Sequence, residues 1–360
     1  MKLQHKLAGI ILLFCLIPLT ASADAGTALM WAGMLHLVFG NFFIGLFEGM
    51  ILAWVFKLKS TRCAWIMVLA NYFSSWGGMF LNNAVTSHLS LNLYNAWFWF
   101  WVMVGVTYLM TLILEWPFIF FCLRKEQSRF KKSLLGNLLV NSLSYLLLFG
   151  WYWEASGKGL YKNLNVVQPS QMTMPTNGVV FFISATDGDV HSLDLTTQQS
   201  EKVFSLKTTD QDDRLLVKPA KFDPDNWDIF EHSKSILIES NLNVVAKVLW
   251  RDTNAMSNDG TMFNFGAAPR LGTAENSDWT FRTGFWSVEG LRGKNSKTGE
   301  IIWASLETPF VAWIARSATQ LPGDYVVFQL GRDQICILEI PTKKIALLSQ
   351  GYGPVVILKK

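Results

Sequence analysis

The chain has 360 residues, 51% of them hydrophobic, with 16 Trp, 26 Phe and a net charge of +4. Charge is segregated: residues 1–157 hold ten Lys/Arg and five Asp/Glu, whereas 158–360 hold 21 and 22. The basic excess belongs to short segments of an apolar half, which excludes a nucleic-acid surface as its explanation, and the length leads us to expect two domains.

In chain order, "MKLQHK", the apolar "LAGIILLFCLIPLT" and the small-residue "ASADA" read as a secretory signal peptide over residues 1–25. The alternative is an uncleaved anchor helix. Either places the chain just after Ala25 outside the cytoplasm.

Four longer apolar runs succeed it, about 29–56, 63–82, 97–123 and 133–153, each long enough to cross ~30 Å of hydrocarbon at ~1.5 Å per residue. They predict a four-helix transmembrane domain over 26–153. Lys57, Lys59 and Arg62 join the first pair, and Arg124, Lys125, Arg129, Lys131 and Lys132 the second, while 83–96 has no basic residue. The positive-inside rule puts both basic loops in the cytoplasm of an inner membrane and residues 154–360 in the periplasm. Trp97, Trp99, Trp101, Trp151, Tyr152 and Trp153 then form the outer aromatic belt. Residues 154–360 carry no N-x-[ST] sequon, which favours a bacterial periplasm.

Within these runs, Glu48 lies nine residues before Lys57, Asn71 nine after Arg62, Glu115 nine before Arg124 and Asn141 nine after Lys132. Four polar residues on four helices thus share one depth, roughly 13 Å from the cytoplasmic edge. "EGMILAWVFK" resembles "EWPFIFFCLR", and "NYFS" resembles "NSLS", so the half reads as two copies of a hairpin with Glu, basic loop, then Asn-x-x-Ser. Asn41, Gly45, Glu48 and Leu52 share one helix side, as do Asn71, Ser74, Ser75 and Gly78, then Thr107, Thr111 and Glu115, then Asn137, Asn141 and Ser144. Gly45 and Gly49 form a small-xxx-small pair, and Pro117 frees a carbonyl near the cluster.

Two readings of Glu48, Asn71, Ser74, Glu115, Asn141 and Ser144 compete. In one, each Glu is a neutral acid bonded to an Asn, contributing ~0.6–2 kcal/mol to the bundle. In the other, the carboxyls with amide and hydroxyl oxygens bind a hard cation or relay protons. No His lies at that depth, which disfavours a transition metal, and His36 sits about 18 Å above Glu48 as an interfacial or satisfied polar residue.

Residues 154–176, with Gly, Pro and Ser, read as a linker, and 177–360 as short alternating strands: "VVFFIS", "DVHSLDL", "EKVFSL", then "FVAWIA", "YVVFQL", "QICILEI", "KIALLS" and "GPVVIL". The apolar strand ends Phe204, Trp250, Trp303 and Leu347 are 46, 53 and 44 apart, which are blade periods of a β-propeller. "NSKTGEIIW" resembles the tryptophan-docking motif of quinoprotein-type, PQQ-like propeller repeats. The resemblance covers 177–360 loosely and one repeat sharply; elsewhere Trp becomes Phe or Leu and the Thr-Gly turn is lost. It implies the fold and not PQQ chemistry. About four blades fit, with "GPVVILKK" closing the ring on the first; a β-sandwich or open sheet is the alternative.

Of Cys15, Cys63, Cys122 and Cys336 only the last is in the polar half, so no disulfide forms within it, and no CxxC metal site occurs. "DPDNWD" (Asp223, Asp225, Asp228) offers a poor Ca²⁺ spacing and reads as a turn. His88, His191 and His232 have no catalytic motif around them, and no P-loop, HExxH or G-x-S-x-G is present. The leading expectation is a non-enzymatic membrane protein that anchors a periplasmic module binding a protein or envelope component, with no cofactor evident. The alternatives are an ion- or proton-coupled component using Glu48 and Glu115, and an intramembrane enzyme.

Overall fold

A computed structural model describes residues 26–86, 89–176, 178–211, 213–219, 227–231, 237–242, 277–284 and 286–358. The signal peptide, His88, Asp223, Asp225, His232 and Trp250 lie outside the described residues. The chain divides into a helical unit (to Leu91, then Asn95–Ser156, with Thr308–Val311) and a β-rich unit (Asn92–Tyr94, Gly157–Glu307 and Ala312–Lys360).

Among the described residues the helical unit has four long helices: α1, Ala28–Val55, with a π-helical turn at His36–Gly40; α2, Ser60–Thr86; α3, Ala96–Cys122; and α4, Arg129–Ala155. The Thr27 hydroxyl caps α1 by accepting from Met30 N–H (3.1 Å). At its other end Lys57 is left-handed (φ 53°) and Leu58 N–H reaches Ala53 O (2.9 Å), a Schellman-type stop made without glycine. Among the described residues α1, α3 and α4 are long and apolar enough to cross a membrane. The more polar α2 is 27 residues long. Packing is inverted relative to a water-soluble bundle. Trp54, Ile113 and Leu146 are 82%, 70% and 71% exposed, whereas Glu48, Glu115 and Asn141 are each 1% exposed. Only an apolar surrounding makes that arrangement stable. Gly45 and Gly49 bring α1 against the α2 backbone, for a Cβ on either would meet Val68 or Ala64 main-chain atoms.

Strands of the β-rich unit are β1, Asn165–Val166; β2, Gly178–Ser184; β3, Val190–Asp194; β4, Ser200–Phe204; β5, Leu215–Pro219; β6, Trp227–Glu231; β7, Leu237–Leu242; β8, Trp279–Thr283; β9, Leu291–Asn295; β10, Ile301–Ala304; β11, Leu306–Glu307; β12, Ala312–Trp313; β13, Ala315–Leu321; β14, Tyr325–Leu330; β15, Gln334–Glu339; and β16, Lys344–Leu358. All pair antiparallel except β1, which pairs parallel with the start of β16. The segment 154–176, expected as a linker, also holds a short helix α5, Gly159–Asn163, because Leu160 and Leu164 are buried.

The principal sheet runs β13-β14-β15-β16-β2-β3-β4. Strand β16 serves both halves of it: residues up to Gln350 pair with β15, and Gly351–Leu358 pair with β2. A bulge between Tyr352 and Val355 divides the β2-paired stretch, where Gly353 has φ 54°. The C-terminal "GPVVIL" is therefore the neighbour of the first long strand. Strand β2 is buried at every residue: Val180 and Phe182 join one apolar cluster, Val179, Phe181 and Ile183 another. Both faces of this strand are covered, which is why it reads as an unbroken apolar run.

The Thr-Gly turn persists where its sequence does not. In β9–β10, Asn295 Oδ1 accepts from Lys297 and Thr298 N–H (both 2.9 Å), and Gly299 comes next at φ 74°. In β3–β4, Asp194 Oδ1 accepts from Thr196 and Thr197 N–H (both 2.9 Å), and Gln198 takes φ 57°. In β15–β16, Thr342 precedes Lys343 at φ 54°. A left-handed residue after Thr recurs in three hairpins, twice with a side chain in that position, and the β3–β4 and β9–β10 turns share the same side-chain and main-chain hydrogen bonds.

Candidate functional site

Glu48 and Glu115 meet in the bundle interior at one turn of α2. Asn71 Nδ2 donates to Glu48 Oε2 (2.5 Å) and to Met67 O (3.0 Å). One turn on, Ser74 Oγ donates to Glu115 Oε1 (2.6 Å) and lies 3.1 Å from Asn71 O. Ser144 approaches Glu48, Asn141 approaches Glu115, and the two carboxyls are electrostatic neighbours. All six residues singled out from the sequence are brought together.

Their pairing is reciprocal between hairpins. Each Glu has its own hairpin's Asn beside it and the other hairpin's Ser: Asn71 and Ser144 for Glu48, Asn141 and Ser74 for Glu115. The copies differ in one respect. Asn71 donates to its Glu, whereas Asn141 donates to Asn137 Oδ1 (2.9 Å), and Asn137 in turn donates to Leu112 O (2.8 Å). Two buried acceptors consequently lack any hydrogen-bond partner, Glu115 Oε2 and Asn141 Oδ1. Buried polar atoms are nearly always partnered, so two unpartnered acceptors within one cluster depart from the usual pattern. Among the described residues no group of three or more His, Cys, Asp or Glu is placed to hold a metal ion. A cation here would rest on two carboxyls with amide and hydroxyl oxygens, a set suited to hard ions.

Further polar groups lie beside the cluster, and of these only Tyr145 was not named from the sequence. Tyr145 OH bonds Thr111 Oγ1 (2.8 Å) and lies near both carboxyls. Asn41 Oδ1 accepts from Ser75 Oγ (2.7 Å), and His36 Nδ1 bonds Tyr152 OH (2.7 Å). A tyrosine in an apolar run resembles a packing residue, and the only signal was that Tyr145 adjoins Ser144.

In the β-rich unit the Asp189 carboxylate takes three donors, Lys202 Nζ, Lys207 N–H (2.9 Å) and Ser205 Oγ (3.3 Å). The Lys202 ammonium holds its carboxyl below the usual range. With these donors engaged it clamps the β3–β4 hairpin. His191 bonds Asp187 Oδ2 (3.0 Å) at the surface. Comparison with protein-family models, with curated proteins and with solved structures finds no match.

Proposed function

We propose that this is a multi-pass membrane protein whose helices bind a proton or hard cation at Glu48 and Glu115, and whose β-rich half is an extracytoplasmic, propeller-like binding module. The observation that carries the first part is the pair of adjacent buried carboxyls with two orphaned acceptors. Two unneutralised carboxylates side by side in hydrocarbon repel and lack solvation, so the pair needs a neutralising proton or ion. Four crossings are supported by the length of α2 and its close packing on α1. With four, both basic loops fall on one side, which the positive-inside rule makes cytoplasmic. A propeller-like module is supported by the recurring turn and by the C-terminal strand beside β2. A protein or envelope component fits such a module.

A second reading has the carboxyls as neutral acids that only knit helices of an anchoring scaffold. Asn71 bonding both Glu48 and Met67 O favours it. A hydrophobic carbodiimide, which attacks protonated carboxyls in apolar surroundings, separates the two. With the purified protein, sodium or calcium salts that slow labelling of Glu48 or Glu115 relative to choline identify a cation site. Dependence on pH alone identifies a proton site. Labelling that responds to neither supports knitting, and the Glu48→Gln and Glu115→Gln variants assign the labelled residue.

A further inference from the structure

The basic-loop ends of α2 and α3 are tied together. Arg62 Nη2 donates to Phe121 O (3.2 Å), and the Arg62 guanidinium lies over the Phe121 ring, 5.2 Å from its centre. The next residue on each helix is a cysteine. Cys63 closes the first turn of α2, and Cys122 is the last residue of α3. The two thiols are hydrogen-bonded neighbours although they are far apart in sequence. With Ala53 of α1 they form one buried cluster, against which Leu58 and Ile66 pack. Cys63 is 2% exposed and Cys122 5%.

A single buried thiol behaves as a small apolar group. Two thiols in mutual contact have a further chemistry, because their sulfurs can join. The Arg62 guanidinium lies near both of them. Thiols that react sit beside a cation, since the thiolate is the nucleophile. The pair also lies within a turn of the basic loops, where a small uncharged oxidant has the least apolar material to cross.

We infer that Cys63 and Cys122 are an oxidative modification site: a two-electron oxidant of the peroxide class converts them to a disulfide that ties α2 to α3. One sulfur attacks a peroxide oxygen, the O–O bond breaks, and water leaves a sulfenic acid. The second sulfur attacks the first, the S–S bond forms, and a second water leaves. Two thiols and one peroxide thus give one disulfide and two waters, with sulfur oxidised and peroxide reduced. A small-molecule dithiol reverses the step by exchange. With the basic loops in the cytoplasm, as proposed, the thiols are the resting state and the disulfide is a transient response to oxidant. The same two helices carry Ser74 and Glu115, which bond at 2.6 Å, so the disulfide restrains the helix pair that builds half of the carboxyl cluster. Its formation does not depend on the proposed proton or cation site, and the two fail separately.

The test uses the purified full chain in detergent, reduced and then freed of reductant. It is treated with hydrogen peroxide, labelled with a maleimide in denaturant, digested and read by mass spectrometry. The expected result is loss of maleimide from both Cys63 and Cys122 and a linked Cys63–Cys122 peptide that dithiothreitol cleaves. Cys336, 0% exposed, is expected to keep its label. The oxidised chain is expected to melt at a higher temperature than the reduced one, because the bond closes a long loop of the unfolded chain. That difference is expected to vanish in Cys63→Ser and in Cys122→Ser. Peroxide that leaves both thiols free to label, or that carries either to sulfinic acid without a linked peptide, overturns the inference. A linked peptide with no rise in melting temperature overturns the tie between the helices. Should the serine variants fail to fold, a trivalent arsenical that bridges adjacent thiols with loss of water tests the pair in the native chain. It is expected to block maleimide at both cysteines until a dimercaptan displaces it, and undiminished labelling overturns the inference.

Discussion

Replacing Ser74 by Ala removes the one hydroxyl that donates to Glu115, across a 2.6 Å contact between two residues that are 6% and 1% exposed. Glu115 Oε2 already lacks a partner, so the variant leaves the carboxyl with only the nearby Asn141 amide. The size of the loss reports the state of the acid. Interhelical hydrogen bonds between neutral groups in membranes average ~0.6 kcal/mol and reach ~1.7 kcal/mol. A bond to an ionised group is worth ~1.5–3 kcal/mol. A double-mutant cycle of Ser74→Ala with Glu115→Ala, read by reversible unfolding in mixed micelles, isolates the pair. We expect a coupling of about 0.6–1.7 kcal/mol in choline and at acid pH, where a proton neutralises Glu115. If the site holds a cation, coupling rises toward ~2–3 kcal/mol in that cation's salt. A coupling indistinguishable from zero within ~0.5 kcal/mol in every condition would refute the placement of Ser74 against Glu115.

Gly49→Ala drives a Cβ into the Ala64 backbone and is expected to destabilise the helical unit by ~1–3 kcal/mol, whereas Gly105→Ala, which meets nothing within 4 Å, is expected to be neutral or slightly stabilising by thermal denaturation in detergent. His191 lowers Asp187 from its ordinary 3.8 to about 2. The stability this gives is present above pH 3.8 and is lost as pH falls toward about 2; an NMR titration should find the Asp187 midpoint depressed, and back in the ordinary range in His191→Ala. Burial pushes the Cys336 thiol up and leaves it 0% exposed, so an impermeant maleimide should not label it until the β-rich unit unfolds. Truncation after Pro354 removes Val355, Val356 and Ile357, three buried side chains worth ~1.5–3 kcal/mol each, and should abolish the cooperative melting of the β-rich unit seen by circular dichroism.

The intramembrane cluster was legible because it breaks a rule. Carboxyls in apolar runs are conspicuous, and helical periodicity puts Glu48, Asn71, Glu115 and Asn141 on inward faces. The partnerships were less legible. Periodicity gives a residue's face but not which of two facing helices it meets, so the sequence reading had each Glu bonded to an Asn, while the fold sets Asn71 on Glu48 and also brings the other hairpin's Ser74 onto Glu115. Tyr145 was hidden because an aromatic hydroxyl within an apolar helix carries no distinguishing spacing. In the β-rich unit the existence of short strands and the C-terminal partner of β2 came from pattern, but the expected alternation fails in β2 and β15, which are buried at every residue. The recurring turn did not come from pattern, because a Gly at the left-handed position is the usual sign of it and Gln198 and Lys343 adopt that conformation without one. Side-chain bonds from Asp194 and Asn295 fix the turn in two of the three hairpins.

The claim that Glu48 and Glu115 form a proton or cation site is tested most directly by infrared difference spectroscopy of the purified protein, recorded on adding sodium or calcium and on shifting pH. The expected result is a change in the protonated-carboxyl absorption that is reduced in Glu48→Gln and in Glu115→Gln and absent in the double variant, with all three variants folded. A wild-type spectrum whose carboxyl absorption responds to neither ions nor protons, or a response that survives in the double variant, would contradict it.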